Sequence, residues 1–307
     1  MTRRIARLLQ LPPFALLASA LMIGPAAFAG GFTCTAYVAN EGGGVMPVDV
    51  LTQIVGAAIT VGSGPTGIAA TPDGAFVYVT NAGSDSVTPI STGSNFPGTS
   101  IPVGTTPVAI AITPDGATAY VVNEGSNDVP PLDVFTGIAG SPISVGLTPR
   151  GIVITPDGAT AYVSNFDSDS VTPIDIATNL ASSNIPVGTG PYGLAVTPDG
   201  ATIYVADSTS NTVTPIDVAT NISGSAISVP GGPTHIAISP DGATAYIVNN
   251  IADNVRLIDV ATNIPGVAVS VGAEAFNIAI TPDASTAFVS NSGNNTLTPI
   301  TLASNLA

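Results

Sequence analysis

The sequence contains no lysine and no tryptophan, with a single histidine, His235, and a single cysteine, Cys34. One cysteine excludes an intramolecular disulfide, and one histidine excludes a His-rich metal centre. No G-x-S-x-G elbow occurs and no catalytic motif surrounds Cys34, so the usual nucleophile signatures are missing. All five basic residues are arginines, set against 20 acidic residues for a net charge of −15. Arg3, Arg4 and Arg7 lie at the N-terminus, so the rest of the chain has only Arg150 and Arg256. Nucleic-acid binding needs several cations to displace phosphate counterions and is excluded on that ground. Adsorption to an anionic membrane surface is disfavoured for the same reason. Charged residues make up only 8% of the chain, so the low pI reflects missing bases rather than a disordered acidic tail. Without tryptophan, carbohydrate stacking would depend on tyrosine or phenylalanine. No stretch shows a 3.6-residue apolar period over ten or more residues, so no helix is expected.

The first 29 residues read as a secretory signal peptide. Arg3, Arg4 and Arg7 form the positive end, Leu8–Phe28 is largely apolar, and Ala27-Phe28-Ala29 is a cleavage signal before Gly30. Pro12-Pro13 and Gly24-Pro25 interrupt the apolar run, which argues against a retained anchor. No second long apolar run follows, so no membrane span is expected. An exported protein is implied, in the periplasm, outside the cell or on its surface, with residues 30–307 as one domain. Cys34 falls where Ala75, Ala117, Ala159, Ala201 and Ala243 stand in later repeats, which suits a small buried thiol.

What is abundant is repetition. The tetrapeptide TPDG begins at Thr71, Thr113, Thr155 and Thr197, and returns as SPDG from Ser239 and TPDA from Thr281, each step being 42 residues. Tyr78, Tyr120, Tyr162, Tyr204 and Tyr246 keep the same step, with Phe288 last and Tyr37 first, one residue short. Each unit reads as four short strands, with Pro-Asp-Gly turning the chain between the first two. A period of ~40–45 residues fits a four-stranded propeller blade, whereas leucine-rich rungs run to ~20–29. The two halves of the unit are dissimilar, which argues against paired solenoid rungs. The expected fold is therefore all-β: a β-propeller, most simply seven blades of four-stranded antiparallel sheet. Its seam is incomplete, because the sequence supplies seven second-plus-third-strand hairpins but only six first and six fourth strands. Open edges are expected at Cys34–Val50 and Leu297–Leu302, and with them a tendency to edge-strand dimerisation.

Tyr-Val-x-Asn after Pro-Asp-Gly, followed by V-x-x-I-D and I-x-V-G, resembles the YVTN-type β-propeller repeat of bacterial and archaeal exported and surface-layer-associated proteins. The resemblance runs over residues 33–307. It implies a propeller and leaves the activity open, since the roles of such proteins vary. Asp207 in place of asparagine, Phe288 in place of tyrosine, and Ser91 and Thr301 in place of the third-strand aspartate depart from the pattern.

Two G-x-G-x-x-G matches, at 62–67 and 188–193, precede strands rather than the helix a dinucleotide site requires, so they read as inter-blade turns. The TPDG aspartates lie on separate blades and serve turns. Asp49, Asp133, Asp175, Asp217 and Asp259 read as turn-bonding residues, and the Asn40 to Asn291 series as hairpin-end caps. Asp167-Ser168-Asp169 lacks the oxygen count that calcium takes. No metal or cofactor is expected.

Function on a repeat scaffold is sought where blades differ. The two positions after the inter-blade proline vary most: Thr66-Gly67, Val108-Ala109, Arg150-Gly151, Tyr192-Gly193, Thr234-His235 and, after Ala275 in place of proline, Phe276-Asn277. They open the inner strands, at one mouth of the central channel. Arg150, Tyr192, His235, Phe276 and Asn277 are accordingly the candidate ligand-binding residues, with a small molecule, polymer or protein as partner and no catalytic residue assigned. The bland reading, that Tyr192 and Phe276 plug the channel and His235 is a solvated rim residue, stands beside it. Because spacing is held without insertion from Val45 to Leu297, no elongated loop shapes a pocket. The sequence therefore points to a non-enzymatic binding or surface-interaction scaffold. Its rivals are a small-substrate hydrolase, lactonase or lyase with His235 as base and Arg150 holding an anion, and a passive surface repeat.

Overall fold

The computed structural model describes residues 9–10, 20–23 and 35–302. The cleavage signal and Cys34 lie outside the described residues. Seven antiparallel sheets follow one another around a ring. In blade 4, for example, Pro149–Ile154 is the inner strand, pairing with Thr160–Asn165, then Ser170–Asp175. Its outer edge is made of two short pieces, Leu180–Ala181 and Ile185–Pro186. Blades 2, 3, 5, 6 and 7 begin their inner strands at Pro65, Pro107, Pro191, Pro233 and Ala275, and blade 1 carries Thr35–Asn40 and Gly44–Asp49. The only helical turn among the described residues is the three-residue 3₁₀ turn Phe166–Ser168.

The second strand shows why this repeat stacks. Successive side chains of a strand point to opposite faces, and here each face meets a different neighbour. Ala119 and Val121 of blade 3 pack with Val87 and Tyr78 of blade 2, while Tyr120 and Val122 pack with Val163 and Ile174 of blade 4. Second strands are thus buried over all but their first residue. Inner strands such as Pro149–Ile154 are half-buried beyond their first residue because they line the axial channel. Seven apolar clusters result, one between each pair of adjacent blades, including one that joins Leu297 of blade 7 to Ala36 and Val38 of blade 1.

Polar staples reinforce the wedges. The Tyr-Val-x-Asn tyrosines donate to an asparagine in the next blade: Tyr37 to Asn95, Tyr120 to Asn179, Tyr162 to Asn221 and Tyr204 to Asn263, each at 2.6 Å. A second series, Asp85, Asn127, Asp169, Asn211 and Asp253, has left-handed backbone and accepts from backbone N–H groups of the following inter-blade loop. This is where Asp169 of the D-x-D stretch is engaged, while Asp167 accepts from the Thr148 hydroxyl. In the Pro-Asp-Gly turns, Asp199 Oδ1 accepts from Thr197 Oγ1 and Ala201 N, and Gly200 takes the φ of 73° that the turn needs. The third-strand aspartates hold their turns as expected: Asp175 Oδ1 accepts from Thr178 N at 2.8 Å and Oγ1 at 2.6 Å.

The seam departs from expectation. Ala20–Ile23 pairs with Thr35–Val38 as the missing inner strand, and Leu9–Gln10 pairs with Thr296–Leu297 at the outer edge of blade 7. Both edges expected to be open therefore carry a partner strand, drawn from the segment whose composition reads as a signal peptide. The edge-strand dimer loses its premise in this arrangement. Comparing chains 1–307 and 30–307 separates the two roles of that segment. If it pairs as described, amides of Thr35–Asn40 should exchange at least tenfold faster in the shorter chain; equal protection would show that the segment contributes no strand.

Candidate functional site at the channel mouth

Each blade presents two short segments at one end of the channel: the first residues of its inner strand, and the loop after Tyr-Val-x-Asn. The five residues singled out in sequence meet there, around a cavity of about 170 Å³ lined by Arg150, Tyr192, His235, Phe276 and Asn277. Two further residues join them, Glu124 and Phe166, both from the loop after Tyr-Val-x-Asn.

Arg150 is not the lone cation that its rarity suggests. Its Nη1 donates to Glu124 Oε2 at 2.8 Å, with both side chains about one-quarter exposed. The guanidinium carbon lies 5.6 Å from the ring centroids of both Phe166 and Tyr192, within cation–π range. The Arg150 Nε is buried and has no hydrogen-bond partner. Burial pushes the Tyr192 phenol above its ordinary value, opposed by the positive charge of Arg150 beside it.

The aromatic groups continue round the mouth. Tyr192 meets Phe166, His235 and Phe276 edge-on, with centroids 6.4, 5.4 and 5.7 Å apart, and His235 lies 4.8 Å from Phe276. Such offset and edge-to-face pairs add about 0.5–1.5 kcal/mol each beyond burial. His235 Nδ1 sits 2.7 Å from the Phe276 carbonyl oxygen. A carbonyl only accepts, so Nδ1 carries the proton and Nε2 is left as an acceptor. Burial lowers the His235 pKa to about 4, so the ring is neutral at physiological pH. His235 is therefore half-buried and bonded, not a solvated rim residue. Asn277 Oδ1 accepts from the Ile278 backbone at 2.7 Å.

These side chains are held by the ring itself. Thr234 Oγ1 donates to the Phe276 carbonyl at 2.8 Å, Thr66 Oγ1 to the Pro107 carbonyl at 3.0 Å, and Ser164 Oγ to the Tyr192 carbonyl. The first two bonds tie one inner strand to the next and the third ties the second strand of blade 4 to the inner strand of blade 5, so a side chain at this position is fixed relative to its neighbour's.

Among the described residues, no three His, Cys, Asp or Glu side chains converge as a metal site would need, and no helix is long and apolar enough to cross a membrane.

A closed ring of seven antiparallel sheets with a polar–aromatic cluster at one mouth of its channel defines a seven-bladed β-propeller. The family model described as "Lactonase, 7-bladed beta-propeller" matches residues 68–224, just over half of the chain, and the chain belongs to that family. Among solved structures it is similar to hydrazine synthase of Kuenenia stuttgartiensis, at 27% identity and a TM-score of 0.81 over 88% of this chain and 92% of that one. It also resembles virginiamycin B lyase from Staphylococcus aureus, with a TM-score of 0.78 over 96% of this chain and 98% of that one. At 12% identity the second likeness speaks for the fold alone. A functionally unknown protein from Desulfotomaculum acetoxidans is similar at 19% identity, with a TM-score of 0.74 over 84% of this chain and 89% of that one. No curated protein matches the chain in sequence.

Proposed function

We propose that this protein is a non-enzymatic binding propeller that works outside the cytoplasm, with an axial mouth closed by its own side chains. The carrying observation is the compensation of Arg150 by Glu124 inside the aromatic cluster. An anion entering the mouth would have to displace a carboxylate already 2.8 Å from the guanidinium. The room supports the same reading: about 170 Å³ is available, against the ~300–1,000 Å³ usual for small-molecule sites. The resemblance of the repeat to YVTN-type units of exported proteins supports the location.

A second reading, lactone hydrolysis, is favoured by the family and by His235. A neutral imidazole with Nδ1–H on a backbone carbonyl and Nε2 as acceptor has the tautomer of a general base, although a pKa of about 4 makes it a weak one at neutral pH. In that reading His235 Nε2 takes a proton from water while Arg150 leaves Glu124 to meet the oxyanion. Hydrolysis of aliphatic and sugar-derived five- and six-membered lactones, followed by pH-stat, discriminates the two. The binding reading expects no acceleration over the spontaneous rate. Turnover approaching the ~10⁴ M⁻¹s⁻¹ lower end of ordinary enzymes, lost in His235→Ala, would replace it with the hydrolytic one.

A further inference from the structure

Three departures from the repeat, far apart in sequence, converge on one inter-blade interface away from the axis. Phe76 opens the second strand of blade 2, where Thr118, Thr160, Thr202, Thr244 and Thr286 stand in later blades. Phe135 and Gly137 occupy the third-to-outer turn of blade 3, where Ala177 and Asn179, Ala219 and Asn221, and Ala261 and Asn263 stand in blades 4 to 6. Gly137 removes the asparagine that staples other interfaces, so Tyr78 donates instead to the Val134 carbonyl at 3.0 Å. A groove of about 950 Å³ lies at this interface between blades 2 and 3, with Tyr78 and Gly137 in its lining.

The two phenylalanines add apolar surface to the same groove. Phe76 is 43% exposed and Phe135 94% exposed, and Tyr78 and Ile101 also line it. A repeat that needed only to stack would keep the small residues found elsewhere, because exposed aromatic surface does nothing for the fold. Asp73 and Asp115, from the Pro-Asp-Gly turns of the two blades, stand in its lining. The turns engage Oδ1 of each through Thr71 and Ala75, and through Thr113 and Ala117, which leaves Oδ2 for a ligand. Those same bonds hold both carboxyls below the ordinary carboxylate value, so both are ionised at neutral pH.

We infer that the groove between blades 2 and 3 binds a small organic cation with an aromatic or aliphatic body. The body lies against Phe76, Phe135 and Ile101, and the ammonium or guanidinium head meets Asp73 and Asp115. Charge complementarity selects a cation over a neutral or anionic analogue, since no basic residue lines the groove and the chain carries −15 overall. The volume falls within the ~300–1,000 Å³ of small-molecule sites. This inference does not depend on whether the axial cluster is closed or catalytic.

Three isosteric probes test it: 4-phenylbutylamine, 4-phenylbutanol and 4-phenylbutyrate, titrated calorimetrically into the full chain at low salt. The amine is expected to bind one per chain with a dissociation constant on the order of 0.1–1 mM. The alcohol should bind at least fivefold more weakly and the carboxylate not measurably. Phe135→Ala and Gly137→Asn should each weaken the amine at least tenfold. Gly137 has φ 66°, and Asn95, Asn179, Asn221 and Asn263 adopt φ of 55–58° at the same turn position. The added Cβ would come 3.3 Å from Ile101 Cδ1, the movable end of a side chain. Gly137→Asn should therefore fold, regain the staple to Tyr78 and melt no lower than the parent, while Phe135→Ala touches a side chain that packs on almost nothing. No amine binding, amine binding unchanged by both substitutions, or carboxylate binding as tight as amine binding would each overturn the assignment.

Discussion

Replacing Asp207 with asparagine is expected to raise the melting temperature by up to about 6–12 °C at pH 8 and to leave it unchanged near pH 4. Asp207 is fully buried and closes the second strand of blade 5, where Asn40, Asn81, Asn123, Asn165, Asn249 and Asn291 stand in the other six blades. Those asparagines donate: Asn81 Nδ2 reaches Thr88 Oγ1 at 2.9 Å, and Asn165 Nδ2 reaches Thr172 Oγ1 at 2.8 Å. Asp207 reverses the direction, its Oδ2 accepting from Thr214 Oγ1 at 2.6 Å and Thr212 Oγ1 at 3.0 Å, with Oδ1 buried and unpartnered. Burial outweighs these bonds and raises its pKa from 3.8 to about 6. The folded chain thus holds a proton that the unfolded chain has released. Stability falls as pH rises from about 4 through 6, and the full cost is present above that, at roughly 3 kcal/mol as an upper bound. Asparagine is neutral and reproduces the geometry of its six counterparts, so it removes the cost at alkaline pH only. At ~2–4 °C per kcal/mol for a large domain, thermal melts of the two chains at pH 4, 6 and 8 resolve it. Destabilisation by asparagine at pH 8 would mean that the carboxylate is wanted in its ionised form.

His235 works in the opposite direction. Its pKa is lowered from 6.5 to about 4, so the unfolded chain takes up a proton first as pH falls. That contribution to stability is whole above about 6.5 and is lost as pH drops toward 4. The parent chain is therefore pressed from both sides in the same interval, and Asp207→Asn should move its optimum upward.

Much of this architecture is legible in the sequence because every blade solves the same packing problem with the same residues. The 42-residue step, the Pro-Asp-Gly turns and the third-strand aspartates act locally, within a few residues of one another. The inter-blade staples are harder to read. Tyr162 and Asn221 are 59 residues apart, and nothing in either alone says that the phenol of one blade reaches the turn of the next. The Asp85, Asn127, Asp169, Asn211, Asp253 series was open to the same periodic reading, since aspartate and asparagine share the acceptor and the tolerance for left-handed backbone that the position needs. The seam was not legible: its two partner strands come from a segment whose composition fits a signal peptide equally well.

The axial residues stand out in the sequence because they are where the blades differ, and the structure brings all five together. The position after Tyr-Val-x-Asn, occupied by Glu41, Ala82, Glu124, Phe166, Ser208, Asn250 and Ser292, varies in the same way and carries the signal for Glu124 and Phe166. Sequence rarity alone made Arg150 look uncompensated, because its partner is 26 residues upstream in another blade.

Thermal denaturation of Arg150→Ala, Glu124→Ala and the double variant tests the closed mouth most directly. Breaking a buried pair costs about 3–5 kcal/mol, and an exposed one about 0–1. With side chains 27% and 23% exposed, the pair falls between those limits. Arg150→Ala also strips a cation from the faces of Phe166 and Tyr192, worth about 0.5–1 kcal/mol or more. The account predicts a loss of about 2–3 kcal/mol for Arg150→Ala, and a double variant that loses about 1 kcal/mol or more less than the sum of the singles. Melting of Arg150→Ala within about 0.5 kcal/mol of the parent, with additive singles, would contradict it, for Arg150 would then be held at the mouth for something outside the chain.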